Sequence, residues 1–123
     1  MMDYIFWLYL LNTILLIIHE IDSAYWQEWD LFHLPGGEAG FLLLHMPLLV
    51  PVLYGLALIK RGTLIGLILS VFVSATGLLA FSIHTFFIHR GHPEFNTSVS
   101  LGILWATLFV SLLQGSFTIV MLV

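Results

Sequence analysis

The chain has 123 residues, of which 60% are hydrophobic and only 8% are charged, with a formal net charge of −4 and no cysteine. Ordinary soluble domains carry about 25% charged residues, and a small fold leaves too much of its surface facing water to hide so many apolar side chains. The composition therefore excludes an ordinary soluble domain. The missing cysteines exclude disulfides and thiolate metal sites, and the acidic balance offers no basic surface for nucleic acid.

Four apolar runs cover residues 4–22, 39–59, 63–89 and 99–123. Each has roughly the 20 residues needed to cross a hydrocarbon core about 30 Å thick. Because lipid cannot satisfy backbone hydrogen bonds, these runs are predicted to be helices. The predicted fold is an all-α integral membrane four-helix bundle that forms a single domain over residues 1–123. The opening residues MMDYIF lack a basic n-region and a cleavage site, so the first run is expected to be a retained helix.

The link between the first and second helices is long and aromatic. Tyr25, Trp29 and Phe32 recur at the spacing of one helical face, and the breaker Pro35-Gly36-Gly37 follows them. A half-polar aromatic stretch of this kind is typical of a short helix at the membrane–water interface. The sequence therefore predicts a short interfacial helix before helix two.

The basic residues predict an orientation for the bundle. Lys60 and Arg61 lie in the tight turn between helices two and three, and Arg90 alone lies on the opposite side. By the positive-inside rule, the turn and both termini are predicted to be cytoplasmic. In the last link, Asn96, Thr97 or Ser98 can cap the fourth helix.

All six histidines fall in the half of the molecule away from that turn, which is extracytoplasmic in the predicted orientation. They are His19, His33, His45, His84, His89 and His92. His45 and His84 lie about 10 Å and about 8 Å inside their predicted helices at 1.5 Å per residue, and His19 is near the end of helix one. Ionisable residues inside a span are costly, usually face the bundle interior and usually serve a function.

Helical periodicity indicates which faces point inward. On helix one, His19 shares a face with Asn12 and with Asp22 or Ser23. On helix three, small residues every four positions mark a close helix contact, and the same side continues to His84; these are Gly62, Gly66, Ser70 and Ser74. Helix four carries a polar stripe that is interpreted as packing: Ser100, Thr107, Ser111, Gln114 and Thr118. Pro47 and Pro51 interrupt the backbone hydrogen bonds of helix two.

The main hypothesis is a metal site built by His19, His45 and His84, with Asp22 or Glu20 nearby. Imidazole and carboxylate ligands suit zinc, iron, nickel or copper, and three such ligands with an open position for water are the catalytic zinc pattern. The expected function is metal binding, in a metal-dependent enzyme that acts on a lipid-soluble substrate. The candidates for a general base are Asp22, Glu20 and Glu38, and His89 and His92 are secondary metal ligands.

Two alternatives remain open on the sequence. In the first, His45 and His84 bind haem or a pigment through its axial positions. In the second, the chain is an accessory subunit of a larger membrane complex or a homo-oligomer, and its small-residue stripe serves helix contacts. The histidines would then serve protonation or hydrogen bonding, an interpretation that suits His33 and His92 best.

Three segments carry a resemblance: HEIDSAYWQEW at 19–29, LPGG at 34–37 and FLLLHMPL at 41–48. They resemble an uncharacterised family of small four-helix membrane proteins, known only as a numbered domain of unknown function. They are also similar to the HXXEE-motif membrane proteins, although Asp22 and Ser23 depart from that motif. The resemblance implies a four-helix membrane fold, directs attention to His19, Glu20, Asp22 and His45, and implies no activity.

Overall fold

The computed structural model describes residues 1–92 and 96–123, and every regular element in those ranges is helical. The elements are α1 (Met2–Tyr25), α2 (Glu28–Leu31), α3 (Gly37–Lys60), α4 (Leu64–His89) and α5 (Ser98–Leu122). Of these, α1, α3, α4 and α5 are long and apolar enough to cross a membrane. The all-α fold with four membrane-spanning helices is therefore confirmed, and the chain fits a multi-pass membrane protein.

Two threonine caps begin the helices of the second half. The Thr63 hydroxyl accepts a hydrogen bond from the Gly66 amide at 3.0 Å, and the Thr97 hydroxyl accepts one from the Ser100 amide at 3.1 Å. Each cap satisfies one of the amides that a helix start leaves without an intrahelical partner. Among the three candidate caps for the last helix, Thr97 is the N-cap.

Helices α1 and α4 form the middle of the bundle. Each contacts the other and also both α3 and α5, whereas α3 and α5 do not touch within the described chain. Large apolar side chains such as Trp7, Phe72 and Phe109 point outward, each more than 60% exposed. This apolar exterior suits lipid, because an α-helix satisfies its own backbone hydrogen bonds and can therefore face the hydrocarbon chains.

A polar hydrogen-bond network joins α1, α4 and α5 inside the bundle. The Asn12 amide donates to Ser111 Oγ at 3.0 Å and to Gln114 Oε1 at 2.8 Å. Gln114 in turn donates to the Ser70 backbone oxygen at 3.1 Å and to its hydroxyl at 3.0 Å. All five residues of the predicted polar stripe on the last helix are buried. The stripe therefore packs α5 against its neighbours, as the sequence predicted.

Small residues let the helices approach closely. A Cβ atom at Gly66 would lie 2.7 Å from the backbone of Leu58 and Ile59, and one at Gly77 would overlap the Ser111 hydroxyl. Gly62 of the predicted stripe lies in the turn before α4 instead, with a φ of 69°. The interface of α4 therefore runs from Gly66 through Ser70, Ser74 and Gly77 to the buried His84.

The link between α1 and α3 folds over the end of the bundle. It contains α2, which has only four residues and is flanked by Gln27 and His33, at φ angles of 54° and 55°. The Phe32 ring packs 5.2 Å from that of Phe87, and the Trp29 ring packs 5.4 Å from that of Phe41. These contacts hold the link against α3 and α4, so Glu28 of α2 can reach the buried histidines.

Candidate metal centre

Three potential metal ligands converge at this covered end of the bundle. His19 of α1, Glu28 of α2 and His84 of α4 each offer a ligand atom, and these atoms all lie within 4.8 Å of one another. His19 and His84 are 1% and 3% exposed. Their rings meet edge to face with centroids 4.4 Å apart. We call His19, Glu28 and His84 the ligand triad.

Backbone hydrogen bonding fixes the orientation of His84. Its Nδ1 lies 2.7 Å from the Ala80 carbonyl oxygen. Because a carbonyl oxygen only accepts, Nδ1 carries the proton, and the lone pair of the neutral ring is on Nε2. That Nε2 is 3.9 Å from Glu28 Oε2. A histidine that donates one ring N–H to a backbone carbonyl while its other nitrogen faces the site has the arrangement usual for metal ligands.

Glu28 enters the triad because α2 turns back onto the bundle. Its side chain is 13% exposed, and Oε2 is buried without a hydrogen-bond partner among the described residues. A buried carboxylate is costly unless it is paired with a cation or bound to a metal. The Phe32 ring, four residues further along, lies 6.0 Å from the His84 ring and covers it. The same short segment thus supplies a potential ligand and covers the His84 ring.

A second acid–histidine pair borders the triad. Glu20 Oε2 of α1 lies 2.5 Å from His45 Nε2 of α3, and His45 Nδ1 lies 2.7 Å from the Phe41 carbonyl oxygen. Since Nδ1 must donate to that carbonyl, one further proton is shared between Nε2 and the carboxylate. Glu20 also directly follows His19 of the triad in the chain. Of the three carboxylates expected as a general base, only Glu20 therefore borders the triad.

The remaining predicted site residues lie elsewhere. Asp22 is half-buried on α1 outside the triad, and Ser23 takes the inward position, where its hydroxyl donates to the His19 carbonyl at 3.0 Å. Glu38 is exposed in the first turn of α3, and His89 is exposed at the end of α4. The half-buried His92 packs its ring 5.3 Å from that of Phe87.

The sequence predicted a site shared by His19, His45 and His84. The structure brings His19 and His84 together with Glu28, which the sequence analysis did not single out, whereas His45 pairs with Glu20. For residues inside the apolar runs, the depth in the membrane follows from their position along the helix. Glu28 lies in the link between two runs, and the sequence does not predict how that link crosses the bundle. The available signal was the pair of acidic residues, Glu28 and Asp30, within an otherwise aromatic segment. Of these two, Asp30 is exposed.

The comparisons with known proteins give the chain a family without giving it an activity. The sequence pattern of a family of unknown function, DUF6713, matches residues 5–121. The chain belongs to this family. The predicted resemblance to an uncharacterised family is confirmed by this match, and DUF6713 carries no stated function. No curated protein and no solved structure matches the chain.

Proposed function

We propose that this DUF6713 protein binds a divalent transition metal, zinc or iron, through His19, Glu28 and His84 near one face of the membrane. The observation that carries the proposal is the convergence of three ligand atoms from three separate elements within 4.8 Å. Ionisable groups within membrane-spanning helices, such as His19 and His84, are costly in lipid and usually mark functional sites. Metal coordination would offset that cost by pairing the buried Glu28 carboxylate with a cation.

The donor set suits a catalytic metal. Two imidazoles and one carboxylate are the ligands of thermolysin-type zinc sites and of non-haem iron(II) oxygenases, and both kinds of site leave coordination positions open. Ligand bonds of 2.0–2.2 Å in a tetrahedral site correspond to about 3.4 Å between ligand atoms, so the triad, whose ligand atoms lie within 4.8 Å of one another, needs a contraction of at most about 1.4 Å. A bound metal would supply Lewis acidity and activate a water molecule. We therefore propose a metal-dependent enzyme for a lipid-soluble substrate.

The structure favours this proposal over the haem alternative. In that alternative His45 and His84 are the axial ligands, but both ring nitrogens of His45 already have close partners, Phe41 and Glu20. A haem iron would have to displace Glu20 from Nε2 and leave that carboxylate half-buried. Metal binding by the triad, by contrast, would leave both contacts of His45 in place.

The test is elemental analysis of the detergent-purified protein together with its visible spectrum. We expect about one zinc or iron per chain in the wild type, and loss of that metal in His84→Ala because a ligand is removed. His89→Ala is the matched control, since His89 is exposed on the same helix, and it should keep the metal. A metal-free wild type would contradict the proposal and favour an accessory subunit. A Soret band lost in His45→Ala would favour haem.

We also propose that the triad faces the extracytoplasmic side. The support is the positive-inside rule applied to Lys60 and Arg61, which end α3 and begin the turn before α4. An even number of spans puts both termini on the side of that turn. The triad lies at the opposite end of the helices, so its ligands would meet the metal pool outside the cytoplasm.

A further inference from the structure

A cavity of about 260 Å³ lies between α1, α3 and α4, next to the ligand triad. Its wall is mostly aliphatic and aromatic, with Leu16, Leu49 and Leu69 as contributions from the three helices. Among the described residues, Glu20 and His45 are its ionisable lining groups, and none of the three proposed metal ligands lines it. Its volume is close to the lower end of the range for small-molecule pockets, about 300–1,000 Å³.

The cavity is polar at one end and apolar at the other. Its lining on α3 runs from His45 to Val52, and its lining on α4 runs antiparallel to this, from Thr76 back to Leu69. Each stretch covers about 10 Å at 1.5 Å per residue. Glu20 and His45 share the end near the membrane face. Apart from the buried Thr13 hydroxyl, the wall toward the bilayer centre is apolar. The cavity is therefore polar near the membrane face and apolar toward the bilayer centre, like a lipid molecule in one leaflet.

The cavity opens toward lipid. Two of its lining residues, Leu48 of α3 and Phe72 of α4, are 45% and 61% exposed on the outside of the bundle. A molecule dissolved in the bilayer can therefore enter sideways between these helices.

The polar end selects a head group that donates hydrogen bonds. His45 Nδ1 already donates to the Phe41 carbonyl, so the pair offers mainly the oxygens of Glu20, whose side chain is 32% exposed. Carboxylate oxygens accept hydrogen bonds. No lysine or arginine lines the cavity within the described chain, so an anionic head would find no lysine or arginine to pair with.

We infer that this cavity binds a single-chain amphiphile with a neutral hydroxyl head, such as a medium-chain alcohol, with its chain toward the bilayer centre and its hydroxyl on Glu20. Because Glu20 follows the ligand His19 in the chain, the bound hydroxyl lies beside the metal centre. The binding of this molecule is independent of the proposed function. Its role as the substrate rests on the proposed function.

The test is photolabelling in phosphatidylcholine vesicles with octanol that carries a diazirine in its chain. We expect the label on cavity residues such as Leu16, Leu49 and Leu69, and displacement of the label by unlabelled octanol. Octane should compete about tenfold less well, because it cannot donate a hydrogen bond to Glu20. Equal competition by octane, or label spread evenly over lipid-facing residues, would overturn the inference.

Matched variants separate the cavity from the metal centre. Leu49→Trp fills the cavity and should abolish displaceable labelling, whereas Leu43→Trp is on the lipid face of the same helix, 66% exposed, and should preserve it. Both should retain the metal of the wild type. His84→Ala should lose the metal and keep the label. Labelling that survives in Leu49→Trp would contradict the cavity assignment even if the metal site is correct.

Discussion

At the scale of single residues, Gln114 uses its whole amide group to join three helices. It accepts from Asn12 through Oε1 and donates to the backbone and hydroxyl of Ser70 through Nε2, and it is fully buried. Hydrogen bonds between membrane helices contribute about 0.6 kcal/mol on average and up to about 1.7 kcal/mol. Several such bonds meet at Gln114, so its removal should cost more than the average.

We expect Gln114→Leu to lower the free energy of unfolding by about 1–3 kcal/mol, because it leaves the buried amide of Asn12 and the hydroxyl of Ser70 without this partner. The measurement is reversible unfolding of the reconstituted protein in mixed micelles of increasing denaturing detergent. Ser116→Ala is the control, since the exposed Ser116 hydroxyl bonds only to its own helix at Leu112. Equal stability of both variants would show that the network contributes nothing.

At the scale of elements, the contact of α4 with the end of α3 depends on a missing side chain. At Gly66 an added Cβ would meet the backbone of Leu58 and Ile59, which cannot rotate away as a side chain can. Gly102 in α5 has no atom within 4 Å of such a Cβ. The two glycines are both helical, so they differ in packing and not in secondary structure.

Gly66→Ala should therefore destabilise the bundle, whereas Gly102→Ala should be neutral or stabilise it by up to about 1 kcal/mol through helix propensity. The readout is the thermal midpoint of the detergent-solubilised protein. If both Gly66→Ala and Gly102→Ala raised the thermal midpoint, α3 and α4 would not pack through Gly66.

The sequence predicted the helices well because the constraint on each is local. Roughly 20 apolar residues must form a helix in lipid, and periodicity then assigns the inward side of α4 from Gly66 to His84. The link over the bundle follows no such rule: it depends on left-handed backbone at Gln27 and His33 and on ring contacts with residues distant in the chain. The position of Glu28, and with it the third member of the proposed metal site, could not be predicted for that reason.

At the scale of the whole molecule, the account requires that the triad and the basic turn lie on opposite sides of the membrane. The chain has no cysteine, so single cysteines can report the side directly. We expect Asp30→Cys to react with an impermeant maleimide from outside intact cells, and Val123→Cys to react only after permeabilisation. The reverse pattern would contradict the predicted orientation while leaving the fold intact.

The most direct test of the metal centre is X-ray absorption at the edge of the metal bound to the purified protein. The account predicts a first shell of nitrogen and oxygen, with outer-shell scattering from two imidazoles that falls to one in a His84→Ala sample reloaded with metal. Bond lengths of 2.0–2.2 Å are expected for zinc. A shell without imidazole, or two imidazoles that persist in His84→Ala and fall to one in His45→Ala, would contradict the triad.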